Sequence, residues 1–351
     1  MEVMLELPGR RNRREGLRNF ADKLKEISEQ VGFKISARGW AYQLEGFNLI
    51  NKAQFDLVEN LVNECRAKGY LSINFTAEEE ARRFSGVETP ELKSPIEYMK
   101  GYLGATLECE EWYTPNWWDG EKYYIQMVVE KIDIKTLFGS VCREYHIPIA
   151  TSKGWSSMLQ RAVYARRFKR AEERGLKCVL GYCGDHDPDG LRISDFLRSN
   201  LEDLMNITWS DGTGGYDPAN LIIDRFGLNY DFIERNHLTW IENLITGSKK
   251  NLADPSHPNH HLPYVQEYLR TVGERKCEAN ALVVRPREAE GLVRGWIERG
   301  SDLWPGLGPD ALKRFGRKRE AVRKELREFR ERTGLDEAVK KALELIEQSK
   351  G

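Results

Sequence analysis

The chain has no apolar run approaching the roughly 20 residues that cross a bilayer. Its opening stretch, MEVMLELPGRRNRREG, has no signal-peptide core ahead of a cleavage site, so a cytoplasmic protein with no membrane partner is expected. An excess of one charge is also missing. The 54 Lys and Arg nearly cancel 55 Asp and Glu, so bulk charge selects no nucleic acid and any anion-binding surface has to be local. Cys65, Cys109, Cys142, Cys178, Cys183 and Cys277 never fall at CxxC spacing, which fits reduced core thiols better than zinc or a disulfide framework. No HExxH occurs, and His257, His260 and His261 lie in a stretch, ADPSHPNHHLP, that reads as a solvated loop.

What is present is ordinary globular patterning over 351 residues, enough for two or three domains. Apolar residues recur at helical spacing over 16–30 and 52–66, where Phe55, Val58, Leu61, Val62 and Cys65 share a face and Asn51 is placed to cap. With the strand-like end YLSINF, this suggests a small helical domain over 1–85. Residues 86–120, rich in Pro, Gly and aromatics, read as a connector that packs onto a neighbouring surface. From 121 to 230 the pattern alternates: strand YYIQMVVE, helix KTLFGSVCREY, strand IPIATS, basic helix SSMLQRAVYARRFKRAEERG, strand KCVLGYCG, a helix from Asp189 to about Leu204, and strand NLIIDRFGL. Short connections between such elements predict a parallel, doubly wound α/β domain with ligands at the carboxyl ends of its strands. Residues 231–351 read as a helical extension whose charged run, KRFGRKREAVRKELREFRERTG, is a solvated helix face.

The stretch GDHDPDGLRI begins as a calcium loop does, with Asp185, Asp187 and Asp189 alternating before Gly190. The loop reading fails twice: Phe196 stands at the twelfth position, where a bidentate Glu is required, and a strand precedes it instead of a helix. Asp185 and Asp187 instead end a buried strand, and period-two spacing points both carboxylates the same way. Glu130 ends the first strand of the same domain, at the same sheet edge. Three carboxylates there suit Mg²⁺, with water and phosphate oxygens completing its shell, as phosphoryl-transfer chemistry needs. The plainer alternative is a strand-to-helix turn with N-capping aspartates.

A strand ending in Glu, followed by DxDPxG in a doubly wound domain, resembles the TOPRIM domain, and GDHDPDGLRI resembles its form in the family of the topoisomerase VI A subunit and the meiotic double-strand-break protein. The resemblance implies that Glu130, Asp185 and Asp187 serve Mg²⁺, with Mn²⁺ as a substitute, and that Asp189 has no ligand role. That family adds a winged-helix tyrosine ahead of TOPRIM. In SARGWAYQLEGF, Arg38 takes the family's Arg position and Tyr42 the nucleophilic Tyr, while Ala41 stands in place of the first Tyr and Ala37 in place of Thr or Ser. A helix over this stretch would put Trp40, Leu44 and Phe47 on one face and Arg38, Tyr42 and Glu45 on the other, with Tyr42 away from the core. CEANAL, with Glu278, and DRFGLNYDFI resemble further family segments.

The resemblance implies a homodimer that binds double-stranded DNA, is nucleoid-associated, and cuts both strands through Tyr42, leaving 5′-phosphotyrosyl ends. Arg38 would favour phenolate, and the metal held by Glu130 would stabilise the phosphate charge. A separate GHKL-type ATPase subunit would be a further partner for complete strand passage. Basic candidates for phosphate contact are Lys52, Arg66, Lys68 and, on the basic helix, Arg161, Arg166, Arg167, Lys169 and Arg170; that helix reads equally as an outer face of the α/β domain. Two other functions stay open, a metal-dependent TOPRIM nuclease using water against plasmid or phage DNA, and a non-catalytic DNA-binding module with a structural Mg²⁺.

Overall fold

A computed structural model describes residues 7–9, 11–77, 91–152, 158–245 and 250–348. It contains two compact units, residues 1–80 with 121–308, and residues 81–120 with 309–351. The grouping differs from the sequence division on two counts. The N-terminal helices share a unit with the α/β region, and the stretch read as a connector joins the last two helices in a unit of its own.

The first unit is built on an all-parallel sheet of β1 (Tyr123–Val129), β2 (Ile149–Thr151), β3 (Lys177–Cys183) and β4 (Ile222–Gly227), in the order β2-β1-β3-β4. The continuous apolar runs YYIQMVV and KCVLGYC account for this: after its first residue, each strand is buried throughout, as parallel strands are when helices cover both faces. Helices Ile132–Glu144, Met158–Glu172 and Ile193–Glu202 alternate with the strands as the sequence predicts. The order reverses between β1 and β3, which makes the carboxyl ends of these two strands the topological switch point where ligands bind in such sheets.

Asp224 of β4 ties helix Pro286–Arg299 to the segment that follows it. Its Oδ2 accepts from Trp296 Nε1 at 2.7 Å, Ser301 Oγ at 2.6 Å and Trp304 Nε1 at 3.1 Å. Gly181 leaves room for the Trp296 indole, which a Cβ at that position would meet at 2.3 Å.

The N-terminal part of this unit comprises helices Arg13–Val31, Ala37–Gly46 and Phe55–Ala67. Ser36 caps the second by accepting from Gly39 N at 3.0 Å, while its own Oγ donates to buried Asp133 at 2.6 Å. YLSINF forms turns, not a strand, because its backbone closes on the preceding helix: Tyr70 N donates to Cys65 O at 2.9 Å, and Arg66 holds Ile73 O. Among the described residues this region therefore has no strand that could serve as a wing.

In the second unit, helices Pro95–Thr106, Cys109–Trp112, Ala311–Thr333 and Leu335–Gln348 come together. Trp117 packs on Phe315 with ring centroids 4.4 Å apart and accepts Lys318 Nζ on its carbonyl at 2.7 Å. The charged helix is solvated over most of its length, but Arg330 is buried and pairs with Glu110 and, bidentately, with Asp336. Among the described residues no helix is long and apolar enough to cross a membrane.

Candidate metal and nucleophile site

Glu130 and Asp185 stand one residue and two residues beyond the ends of adjacent strands. The register pairs Val129 with Cys183, Glu130 N donates to Cys183 O at 3.0 Å, and Asp185 N donates to Glu130 Oε2 at 2.9 Å. The two carboxyl groups share one cation from the chain, as Lys131 Nζ lies 2.9 Å from Glu130 Oε1 and 3.0 Å from Asp185 Oδ2. Burial opposes ionisation of Glu130, but the Lys131 ammonium and the Asp185 amide outweigh it and hold this carboxyl below its usual range. Burial, with the Glu130 charge beside it, pushes Asp185 up to about 7.

Asp187 plays a different part. Its Oδ1 accepts from Gly190 N at 2.6 Å and caps the short helix Pro188–Leu191, which is the plainer reading the sequence left open. Among the described residues no three Asp, Glu, His or Cys side chains are gathered closely enough to hold a metal ion. The three-carboxylate cluster expected from sequence is thus a pair with Asp187 as a neighbour. Burial, followed by the fields of Glu130 and Asp189, raises Asp187 against the pull of its hydrogen bond from Gly190. The Glu130–Asp185 pair still suits a hard divalent cation that takes two carboxylates and completes its shell with water: its donors are all oxygen, repel one another, and are already arranged around a positive charge.

Neighbouring residues fix the backbone of this loop. Arg225 donates to Gly190 O at 3.0 Å, Asp185 O at 3.1 Å and Leu228 O at 2.8 Å, so one guanidinium spans the Asp motif. His186 is a core residue. Its Nδ1 pairs with Leu228 O at 2.9 Å, its ring sits among Tyr230, Trp240 and Tyr268, and burial pushes it down to about 4, leaving it neutral at pH 7. Asp189 accepts from the Tyr264 hydroxyl at 3.0 Å.

The segment 276–279 connects this loop with the N-terminal helices. Cys277 forms an antiparallel bridge with His186, and Ala279 N donates to Asp185 Oδ1 at 2.8 Å. The residue between them, Glu278, accepts from the Tyr42 hydroxyl through Oε2 at 2.7 Å. Tyr42 and Asp185 therefore hold adjacent residues of one segment.

Tyr42 is not on the surface as the helical wheel predicts. It is fully buried, edge-on to Phe55 with ring centroids 4.9 Å apart, whereas Phe47, assigned to the core face, is exposed. The residues Gly39 to Leu44 are all buried, so helix Ala37–Gly46 is covered on both sides and a two-face wheel does not apply. Burial, then the Glu278 carboxylate, raises the Tyr42 hydroxyl well above its ordinary range, outweighing the opposite pull of Arg38. Arg38 is mainly paired with Glu59 at 2.9 Å and Asp56 at 3.2 Å, with its Nε 3.8 Å from Glu278. In this arrangement the phenol is a hydrogen-bonded neutral group and not a phenolate.

Several basic residues read as phosphate contacts are engaged within the chain. Arg66 holds Ile73 O; Arg161 donates to Asn200 O at 2.7 Å; Arg166 pairs with Asp211 and lies over Trp209; Lys169 donates to Gly214 O and Gly215 O at 3.2 Å each. Lys52, Lys68, Arg167 and Arg170 are exposed. Sequence reasoning missed the parts of Lys131, Arg225 and Glu278. The Glu-Lys dipeptide at the end of a buried strand was a visible signal for Lys131, whereas Arg225 and Glu278 lie in DRFGLNYDFI and CEANAL, segments whose resemblance to the family carried no role for either residue.

No family model, curated protein or solved structure matches the chain.

Proposed function

We propose that this chain is a TOPRIM-type DNA-cleaving protein in which Tyr42 is the nucleophile and Glu130, Asp185 and Asp187 serve a divalent metal. The observation that carries the reading is the adjacency of Glu278 and Ala279, one bonded to the Tyr42 hydroxyl and the other to Asp185, which brings a nucleophile candidate and an acidic pair to neighbouring points. Glu130 and Asp185, with Asp187, would hold Mg²⁺ or Mn²⁺, and such an ion supplies charge stabilisation to a phosphodiester under attack.

The residues of the chain then divide the work. Tyr42 Oη forms a bond to phosphorus as the P–O3′ bond breaks, and the phenolic proton passes to Glu278 Oε2, its existing acceptor. The leaving 3′ oxygen takes a proton from water, and the products are a 5′-phosphotyrosyl end and a 3′-hydroxyl. Arg38, beside both Tyr42 and Glu278, is placed to meet phosphate oxygens once it leaves Glu59. This chemistry requires the phenol to be uncovered when DNA binds, since it is enclosed in the arrangement described. Cutting both strands requires two copies of the chain.

Enclosure of Tyr42 favours a second reading, hydrolysis by water at the same acidic pair. One experiment separates the two. Supercoiled plasmid is incubated with the protein and Mg²⁺ or Mn²⁺, quenched with detergent, and run with and without protease. Ends that enter the gel only after protease support the tyrosine, and free ends with 5′-phosphate support hydrolysis. Uncut plasmid at every metal and protein concentration counts against both.

A further inference from the structure

Lys131 follows Glu130 directly and precedes helix Ile132–Glu144, with an extended backbone that lets its side chain turn back over the strand ends. Its ammonium bridges two carboxyl groups that lie 55 positions apart in the chain. The neighbouring cations are committed elsewhere: Arg225 to three backbone carbonyls, and Lys276 to Ile245 O at 2.6 Å. Lys131 is therefore the positive charge that lets Glu130 and Asp185 stay together.

An ammonium 2.9–3.0 Å from these oxygens and a Mg²⁺ bound at its usual ~2.1 Å cannot occupy the same place. We propose that Lys131 is a resident cation of the Glu130–Asp185 pair that leaves it whenever a divalent ion binds, so that the chain carries its own competitor for the metal. The inference rests on the metal reading above. Lysine suits such a part, because its charge sits at the end of a flexible four-carbon stem, and this side chain is about one-third exposed, which leaves it a path to solvent. A buried arginine fork could not be withdrawn as readily.

The test is direct Mn²⁺ binding without DNA, followed by the electron paramagnetic resonance of free Mn²⁺, on wild type, Lys131→Gln, Lys131→Met and Asp185→Asn, with circular dichroism confirming that each is folded. The expected result is about tenfold tighter binding in both Lys131 variants and loss of that binding when Asp185→Asn is combined with either. Equal or weaker binding in the folded Lys131 variants overturns the inference while leaving the metal reading intact. Mn²⁺ binding unaffected by Asp185→Asn, or absent from every protein, overturns the metal reading and the inference with it.

Discussion

Tyr42 and Glu278 are 236 positions apart, yet the phenol donates to the carboxylate at 2.7 Å in the interior of the first unit. The bond joins the N-terminal helices to the segment that also holds Asp185. A replacement of either residue therefore bears on stability as well as on the proposed chemistry, and the two effects have to be measured side by side.

Tyr42→Phe keeps the ring against Phe55 and removes only the donor. Glu278 retains Arg38 and Lys276 at 3.8 and 3.9 Å, so the expected loss of stability is about 1 kcal/mol in urea unfolding. Protease-dependent DNA ends should disappear completely. If they persist at the wild-type rate, Tyr42 is not the nucleophile.

Gly190 lies where a Cβ would stand 2.3 Å from Asp185 O, a backbone atom that cannot turn aside. Gly190→Ala must push the Asp loop away from Arg225. We expect Mn²⁺ affinity to fall at least tenfold while the sheet, followed by far-ultraviolet circular dichroism, stays folded. Unchanged affinity would mean that the loop geometry does not shape the metal site.

Asp133 accepts Ser36 N and Oγ at 2.5 and 2.6 Å, but its burial outweighs these bonds and raises its pKa. A raised folded-state value means that the folded chain holds the proton more tightly than the unfolded one. This residue's stabilising contribution is therefore full below its unfolded value near 3.8 and is lost as pH rises through the raised folded value. Asp133→Asn should flatten that part of the stability–pH curve. A parallel curve for variant and wild type across this window would show that Asp133 ionises normally.

Asp224→Ala strands the indole N–H groups of Trp296 and Trp304 inside the fold, while the hydroxyl of exposed Ser301 can turn to water. The expected cost is roughly 2–5 kcal/mol, since each buried donor left without a partner costs about 1–3 kcal/mol. A loss below about 1 kcal/mol in chemical denaturation would mean that the triple contact contributes little.

The sequence by itself determined the alternation of strands and helices over 121–230, the parallel sheet, and the position of Glu130 and Asp185 at its carboxyl edge. These follow from local periodicity and from the continuous apolar runs of strands buried on both faces. Only the tertiary structure decided what surrounds the carboxylates and the tyrosine. Lys131 between Glu130 and Asp185, Asp187 used as a cap, and Tyr42 enclosed beside Glu278 all depend on contacts across tens to hundreds of positions. A helical wheel assumes one covered face. Helix Ala37–Gly46 is covered by helix Phe55–Ala67 on one side and by the segment Ala279–Val284 on the other, so hydrophobic spacing carried no information about Tyr42.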